Sequence, residues 1–292
     1  MNSHPASSHF FILQVSSRVD PNHSAAAATP HQGYSHAGWG IRAVRGLVAL
    51  TLTLAVAGVA QAAPALPPLL LGEGALNPAW RFVGFPKKHA DLPATRFEAG
   101  RVDGQAALKV VTASSYGTLV HDQKDVPPAR LQWRWRLDQP LTGGKAPPDL
   151  LTKAGDDAAL KVCVMFDHPL GRVPFVERTV LRIARSVSGE ALPAATLCYV
   201  WDSGRPAPLQ GANPYTRRVR FISLQGQGAP LGQWVNQSRD LAQDFSALFG
   251  DELPAGAEVP RVSTVLIGAD SDNTASTSTG WVADLRWVDG RP

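Results

Sequence analysis

Five oxygen-bearing residues at two places in the chain are its best candidates for chemistry. Asp270, Asp272 and Asn273 end the run Val265-Leu266-Ile267-Gly268-Ala269-Asp270-Ser271-Asp272-Asn273-Thr274, and Asp156 and Asp157 follow Gly155. Such groups suit three tasks. They ligate a hard cation such as Ca²⁺, which prefers oxygen donors. They supply the acid and base of glycoside hydrolysis, which needs two facing carboxyls about 5–10 Å apart. They also cap turns by accepting backbone amides, Asx-fashion. The run is not an EF-hand, because no Gly follows the acidic triplet and position 281 is Trp rather than Glu. Asp156 and Asp157 are neighbours in an extended segment, so they point to opposite faces and at most one faces any given site. A catalytic pair across the two clusters requires adjacent strands, which the sequence leaves open.

Aromatic residues add a further possibility. Trp201, with Tyr199, Trp133 and Trp135, has the ring area to stack on a sugar, although Trp at such strand positions is more often core. The expected binding set is therefore Asp156, Asp157, Trp201, Asp270, Asp272 and Asn273. No catalytic residue, metal ligand or cofactor is assigned, and calcium is the one ion the donor set suggests. His89, His121 and His168 stand apart without zinc-like spacing. A Gly-x-Ser-x-Gly elbow, a P-loop and a dinucleotide glycine motif are all absent from the sequence.

These residues need a scaffold, and most of the 292-residue chain reads as β. Short runs rich in Val, Leu, Trp and Phe alternate with turns drawn from 26 Gly and 24 Pro. Strands are expected near 80–84, 94–98, 106–112, 117–121, 130–137, 159–166, 177–184, 196–201, 218–224, 262–269 and 281–287. The pattern predicts an all-β, two-sheet sandwich of jelly-roll type with one docked helix at about 239–249. That helix places Leu241, Phe245, Leu248 and Phe249 on one face, with Ser238 as N-cap and Gly250 as its stop. Val265, Ile267 and Ala269 share one strand face and Leu266 and Gly268 the other, so this strand should be central.

Alternation puts Trp133, Trp135 and Leu137 on one face and Arg134 and Arg136 on the other. If one sheet holds these strands, Arg134, Arg136, Lys161, Cys163 and Cys198 share its outer face. The two cysteines then bridge neighbouring strands; the alternative is two buried thiols.

The N-terminus has a different character. Residues 1–40 are rich in Ser, Ala and His and read as a disordered leader. Arg42 and Arg45, an apolar run from Gly46 to Ala60 and an Ala60-x-Ala62 site form a secretory signal over 41–62. The run is shorter than the ~20 residues that span a bilayer, so it is read as cleaved, and only if uncleaved does it touch a membrane. A signal this far in implies a true start near residue 40. Residues 63–79 read as a linker and 80–292 as one sandwich domain. The formal net charge of +4 halves without the leader's Arg18, Arg42, Arg45 and Asp20, which excludes a nucleic-acid partner.

Five places in this domain resemble an uncharacterised family of bacterial exported proteins, domain of unknown function 3047. They are Trp133–Leu137; Gly155-Asp156-Asp157 running into Val162–Phe166; Leu197–Trp201; Trp234 with Arg239, Asp244, Phe245 and Phe249-Gly250; and Asp270–Thr274. After Thr274 the chain departs from the family pattern, with Ala275–Thr279 where a Gly and a short aromatic turn are expected. The resemblance implies one domain and export, to the periplasm or beyond, and brings no activity. The function expected is a non-catalytic binding module for a glycan or another envelope component. The alternatives are a polysaccharide-acting enzyme using Asp156 or Asp157 with Asp270 or Asp272, and a purely structural envelope protein.

Overall fold

The computed structural model describes residues 65–288, except 73, 85–91, 189 and 190. The leader, the signal segment and the proposed start lie outside the described residues. The chain opens with a hairpin of β1 (Leu70–Leu71) and β2 (Ala75–Leu76), then β3 (Arg81–Val83). Next come β4 (Arg96–Val102), β5 (Gln105–Ala113), β6 (Tyr116–Val126), β7 (Arg130–Thr142) and β8 (Leu160–Phe166). Helix α1 (Phe175–Ser188) leads to β9 (Ala195–Trp201), β10 (Leu209–Asn213), β11 (Thr216–Gln225) and β12 (Val235–Asp240). Helix α2 (Leu241–Phe249), β13 (Val262–Asp270) and β14 (Thr277–Val288) follow.

Two sheets face each other in a sandwich of jelly-roll type. One has seven strands in the order β10-β11-β9-β8-β13-β6-β3, and the other five in the order β12-β7-β14-β5-β4. Neighbours are antiparallel except β9 and β11, which are parallel. The alternation read from the sequence sets the core. Trp133, Trp135 and Leu137 of β7 point inward, where Trp133 meets Tyr199 at 5.2 Å and Trp135 meets Trp201 at 5.6 Å between ring centroids. Such a pair adds roughly 0.5–1.5 kcal/mol to the apolar burial itself. β13 lies between β8 and β6, and Val265, Ile267 and Ala269 face the core as expected of a central strand. α2 lays Phe245 against Phe166, 4.6 Å between rings, with Leu241 and Phe249 also buried.

Four expectations need correction. The segment taken as a linker is folded: Leu66 and Leu69 join the core, and the indole of Trp80 donates to the Pro67 carbonyl. Residues 177–184 belong to α1, not a strand, because Val176, Val180, Ile183 and Val187 recur at helical intervals of four and three; their β-branching disguised the period. The N-cap of α2 is Asp240, whose side chain accepts from the Gln243 amide, while Ser238 lies in β12, a strand not anticipated. Finally, β7 belongs to the five-stranded sheet, so Arg134 and Arg136 occupy the opposite outer surface from Lys161 and the cysteines.

Cys163 and Cys198 are direct partners across β8 and β9 and form a disulfide. The bridge spans 35 residues, including α1. Constraining a loop of that length in the unfolded chain stabilises by about 3–4 kcal/mol. The double variant Cys163→Ala/Cys198→Ala is expected to lose about that much in equilibrium denaturant unfolding. Thiol titration of the denatured, unreduced protein should find no free sulfhydryl.

Candidate functional site

The site forms because β13 runs beside β8, with Gly268 opposite Lys161. That register carries Asp270 past the strand end to the segment that precedes β8. There the two chains exchange bonds: the Asp270 amide donates to the Ala158 carbonyl at 3.0 Å, and the Ala158 amide donates to Asp270 Oδ1 at 2.8 Å. Lys161 is a lone cation in an otherwise apolar strand. Its Nζ donates to Asp270 Oδ2 at 2.7 Å, with the two side chains 2% and 3% exposed. Gly268 leaves room for it, since a Cβ there would stand 3.0 Å from Lys161 Cε and 2.9 Å from Thr118 Cγ2.

Asp157 ties down the loop after β13. Its Oδ2 accepts from the Thr274 amide at 2.7 Å and the Thr274 hydroxyl at 2.6 Å, and its Oδ1 from the Asn273 amide at 3.3 Å. Asn273 Nδ2 returns a bond to the Asp156 carbonyl at 3.0 Å. Asp156 faces the other way, as adjacent extended residues must, and accepts from Asn213 Nδ2 at 2.5 Å. Capping is thus real but crosses between segments. The carboxylate that accepts the Asn273 and Thr274 amides comes from Asp157, outside the 271–274 loop.

The electrostatics follow from crowding four carboxyls around one ammonium. Burial and then the charge of Asp270 push the Asp156 carboxyl up to about 8 and the Asp157 carboxyl up to about 6. Burial, then Asp270 and Asp157, push Asp272 up to about 8. Burial, followed by Asp270, also raises the Tyr116 phenol, whose ring lies 5.5 Å from Lys161 Nζ. Asp157, Asp270 and Asp272 each offer an oxygen within 4.8 Å of the others, a donor set that fits a hard cation.

Five of the six candidate residues therefore meet: Asp156, Asp157, Asp270, Asp272 and Asn273. Trp201 does not. It is 1% exposed between the sheets against Trp135, out of reach of any ligand. Sequence reasoning missed Lys161, Tyr116, Thr274 and Asn213. A single Lys inside Leu160-Lys161-Val162-Cys163-Val164 was the available signal, because an unpaired charge in such a strand is too costly to leave alone. Asn213 had none, as its strand β10 was not anticipated.

Two small cavities flank Lys161 on the outer face of the seven-stranded sheet, each of about 20 Å³, room for a single water. One is lined by Asp156, Asn213, Asp270, Val200, Val219 and Phe221. The other lies by Tyr116, Thr118, Met165, Leu266 and the disulfide.

Fold and site together define a jelly-roll sandwich with a carboxylate–lysine patch on the outer face of its larger sheet. The chain belongs to the family described as protein of unknown function (DUF3047), whose sequence model matches residues 78–286. No curated protein matches the chain. Among solved structures, TmCBM61 in complex with β-1,4-galactotriose is similar at 10% identity and a TM-score of 0.32, over 77% of this chain and 99% of that one. CBM28, a carbohydrate-binding module specific for non-crystalline cellulose, is similar at 10% and 0.35, over 77% and 94%. A family 12 xyloglucanase from Bacillus licheniformis is similar at 9% and 0.36, over 77% and 98%. These likenesses are too distant to carry a ligand across.

The raised carboxyls predict a pH dependence of stability. In the unfolded chain these groups ionise near pH ~3.9. Between there and about pH 8 the folded state keeps protons that the unfolded state has released, so this contribution is full in acid and falls as pH rises. Asp272→Asn is expected to raise the melting temperature at pH 8 and leave it nearly unchanged at pH 4. If Asp157, Asp270 and Asp272 hold Ca²⁺, millimolar Ca²⁺ stabilises the wild type more at pH 8 than at pH 5, because a cation binds the ionised form. Calorimetric scans across both pH values check each outcome.

Proposed function

We propose that this domain is an exported, non-catalytic module that binds a glycan or another polyhydroxylated envelope component on the outer face of its seven-stranded sheet. The observation that carries the reading is the gathering of Asp156, Lys161, Asn213 and Asp270 over an apolar floor of Val200, Val219 and Phe221. A sugar presents both hydroxyls and a C–H face. Carboxylates and amides bond the hydroxyls, while an apolar floor covers the C–H face, the usual composition of a small-ligand site. Periplasmic or secreted location is supported by the disulfide, which persists in oxidising compartments.

Binding is favoured over turnover by the state of the carboxyls. Asp156, Asp157 and Asp270 are buried and already hydrogen-bonded, and the cavity beside Lys161 takes a water or a single hydroxyl, so a sugar resting over the patch presents a hydroxyl to it while its glycosidic bonds stay outside the carboxyl cluster. One observation favours the second reading, a polysaccharide-acting enzyme. Two carboxyls at about 8 beside one at about 6 place a proton donor and an ionised partner in one cluster near neutral pH.

A glycan array probed with the purified protein, with and without chelator, separates the two. A binding module retains a defined glycan subset without releasing reducing ends, and Asn213→Ala weakens that retention at least tenfold, the loss of about 1.4 kcal/mol. Release of reducing sugar that disappears in both Asp156→Asn and Asp272→Asn would establish the enzyme instead. Absence of both retention and release would discard both readings.

A further inference from the structure

α1 carries an apolar stripe that the fold does not use. Leu181 and Ala184 pack it onto Val173, Leu192 and Ala194. Val176, Val180, Ile183 and Val187 lie on a separate stripe and are 71%, 58%, 60% and 78% exposed, and Phe175 at the first turn is 73% exposed. These five account for more than half of the nine exposed large apolar side chains among the described residues. Single exposed apolar residues need no explanation, but a contiguous stripe does.

The surroundings specify the covering surface. Arg178 lies over the Phe175 ring at 5.7 Å, and exposed Arg182 follows one turn later on that side. On the other side of the stripe stands Arg217 of β11, its side chain 65% exposed. The only carboxylate on the helix, Glu177, is engaged by Arg217 and Arg218. The stripe is thus convex, one helix wide, aliphatic and edged by guanidinium groups. A second copy of the chain would set these cations against their own kind. A helix with an apolar stripe and basic flanks instead matches the physics of an interfacial helix, with side chains among the acyl chains and arginines at the headgroups. No described helix is long and apolar enough to cross a membrane.

We propose that α1 is an interfacial helix that seats the domain on an anionic phospholipid surface. The stripe enters the headgroup boundary, and Arg178, Arg182 and Arg217 pair with phosphates. This contact is separate from the carboxylate–lysine site and stands whether or not that site binds a glycan.

Vesicle co-sedimentation tests it. The full chain is mixed with vesicles of phosphatidylcholine alone, or with about one-third phosphatidylglycerol. Every variant is made in the same full chain, so any contribution of residues 46–60 is common to all. Wild type is expected to partition at least tenfold better onto the anionic vesicles, with the preference fading at high salt. Val180→Asp/Ile183→Asp should lose at least tenfold of that partitioning. Arg182→Glu should weaken binding to anionic vesicles alone. Both variants alter exposed positions, and an unchanged melting temperature verifies their folding. The proposal is overturned if wild type shows no preference for anionic vesicles. It is equally overturned if the apolar variant sediments like wild type, or if the stripe variants convert a wild-type dimer to a monomer while vesicles capture neither.

Discussion

A single buried ammonium holds the outer face of the larger sheet in order. Lys161 is surrounded by apolar strand on its own chain and donates to the Asp270 carboxylate, which also fastens the backbone at Ala158. Asp156, Asp157 and Asp272 lie beside that carboxylate, and burial first, then its charge, makes all three hold protons more tightly. Desolvating two charges is expensive, and the pair stabilises only as a pair; removing one partner strands the other in a low-dielectric place. The geometry around it follows the same need, from the missing side chain at Gly268 to the Asn213 amide that turns toward Asp156.

That arrangement also explains why the larger sheet is unusual for an antiparallel one. Such sheets commonly leave one face to solvent. Here β8 and β9 are buried along their whole lengths, on the core side by the sandwich and on the other by the cluster that includes Leu150, Met165, Val219 and the disulfide. The charged groups that intrude on this outer face, Lys161 and Asp270, are paired in fixed positions, a property that suits recognition better than adaptable contact. The exposed apolar stripe of α1 is the contrasting case. It lies on the same crossover between β8 and β9, outside that order, with nothing of the described chain packed over it.

Much of the fold was legible because alternation is a local signal. Trp133, Trp135 and Leu137 announced an inward face, and Val265 and Ile267 a central strand, from their spacing alone. The pairing of strands is not local, and that is where the reading failed. Nothing in the sequence separates β7 from β8 into different sheets, so Arg134 and Lys161 were wrongly grouped. The candidate carboxylates were identifiable as residue types, and the register between β8 and β13 brought them together. What each one bonds depended on partners up to 117 residues away, as with Asp157 and Thr274. Trp201 shows the opposite limit: a ring suited to stacking on sugar is equally suited to a core, and the facing Trp135 decided between them. α1 was misread because Val and Ile suggest a strand by composition even where their spacing is helical.

The strand order has a consequence for how this chain acquires its structure. The last two strands, β13 and β14, are interior members of different sheets, β13 between β8 and β6 and β14 between β7 and β5. Until residues 262–288 are available, each sheet is split into two halves that share no edge. Hairpins such as β4–β5 close early at little entropic expense, but the sandwich waits on contacts of high sequence separation, which form slowly. A chain delivered from its N-terminus thus remains without a closed core until residues 262–288 have emerged, and the carboxylate cluster can come into being only when β13 takes its place.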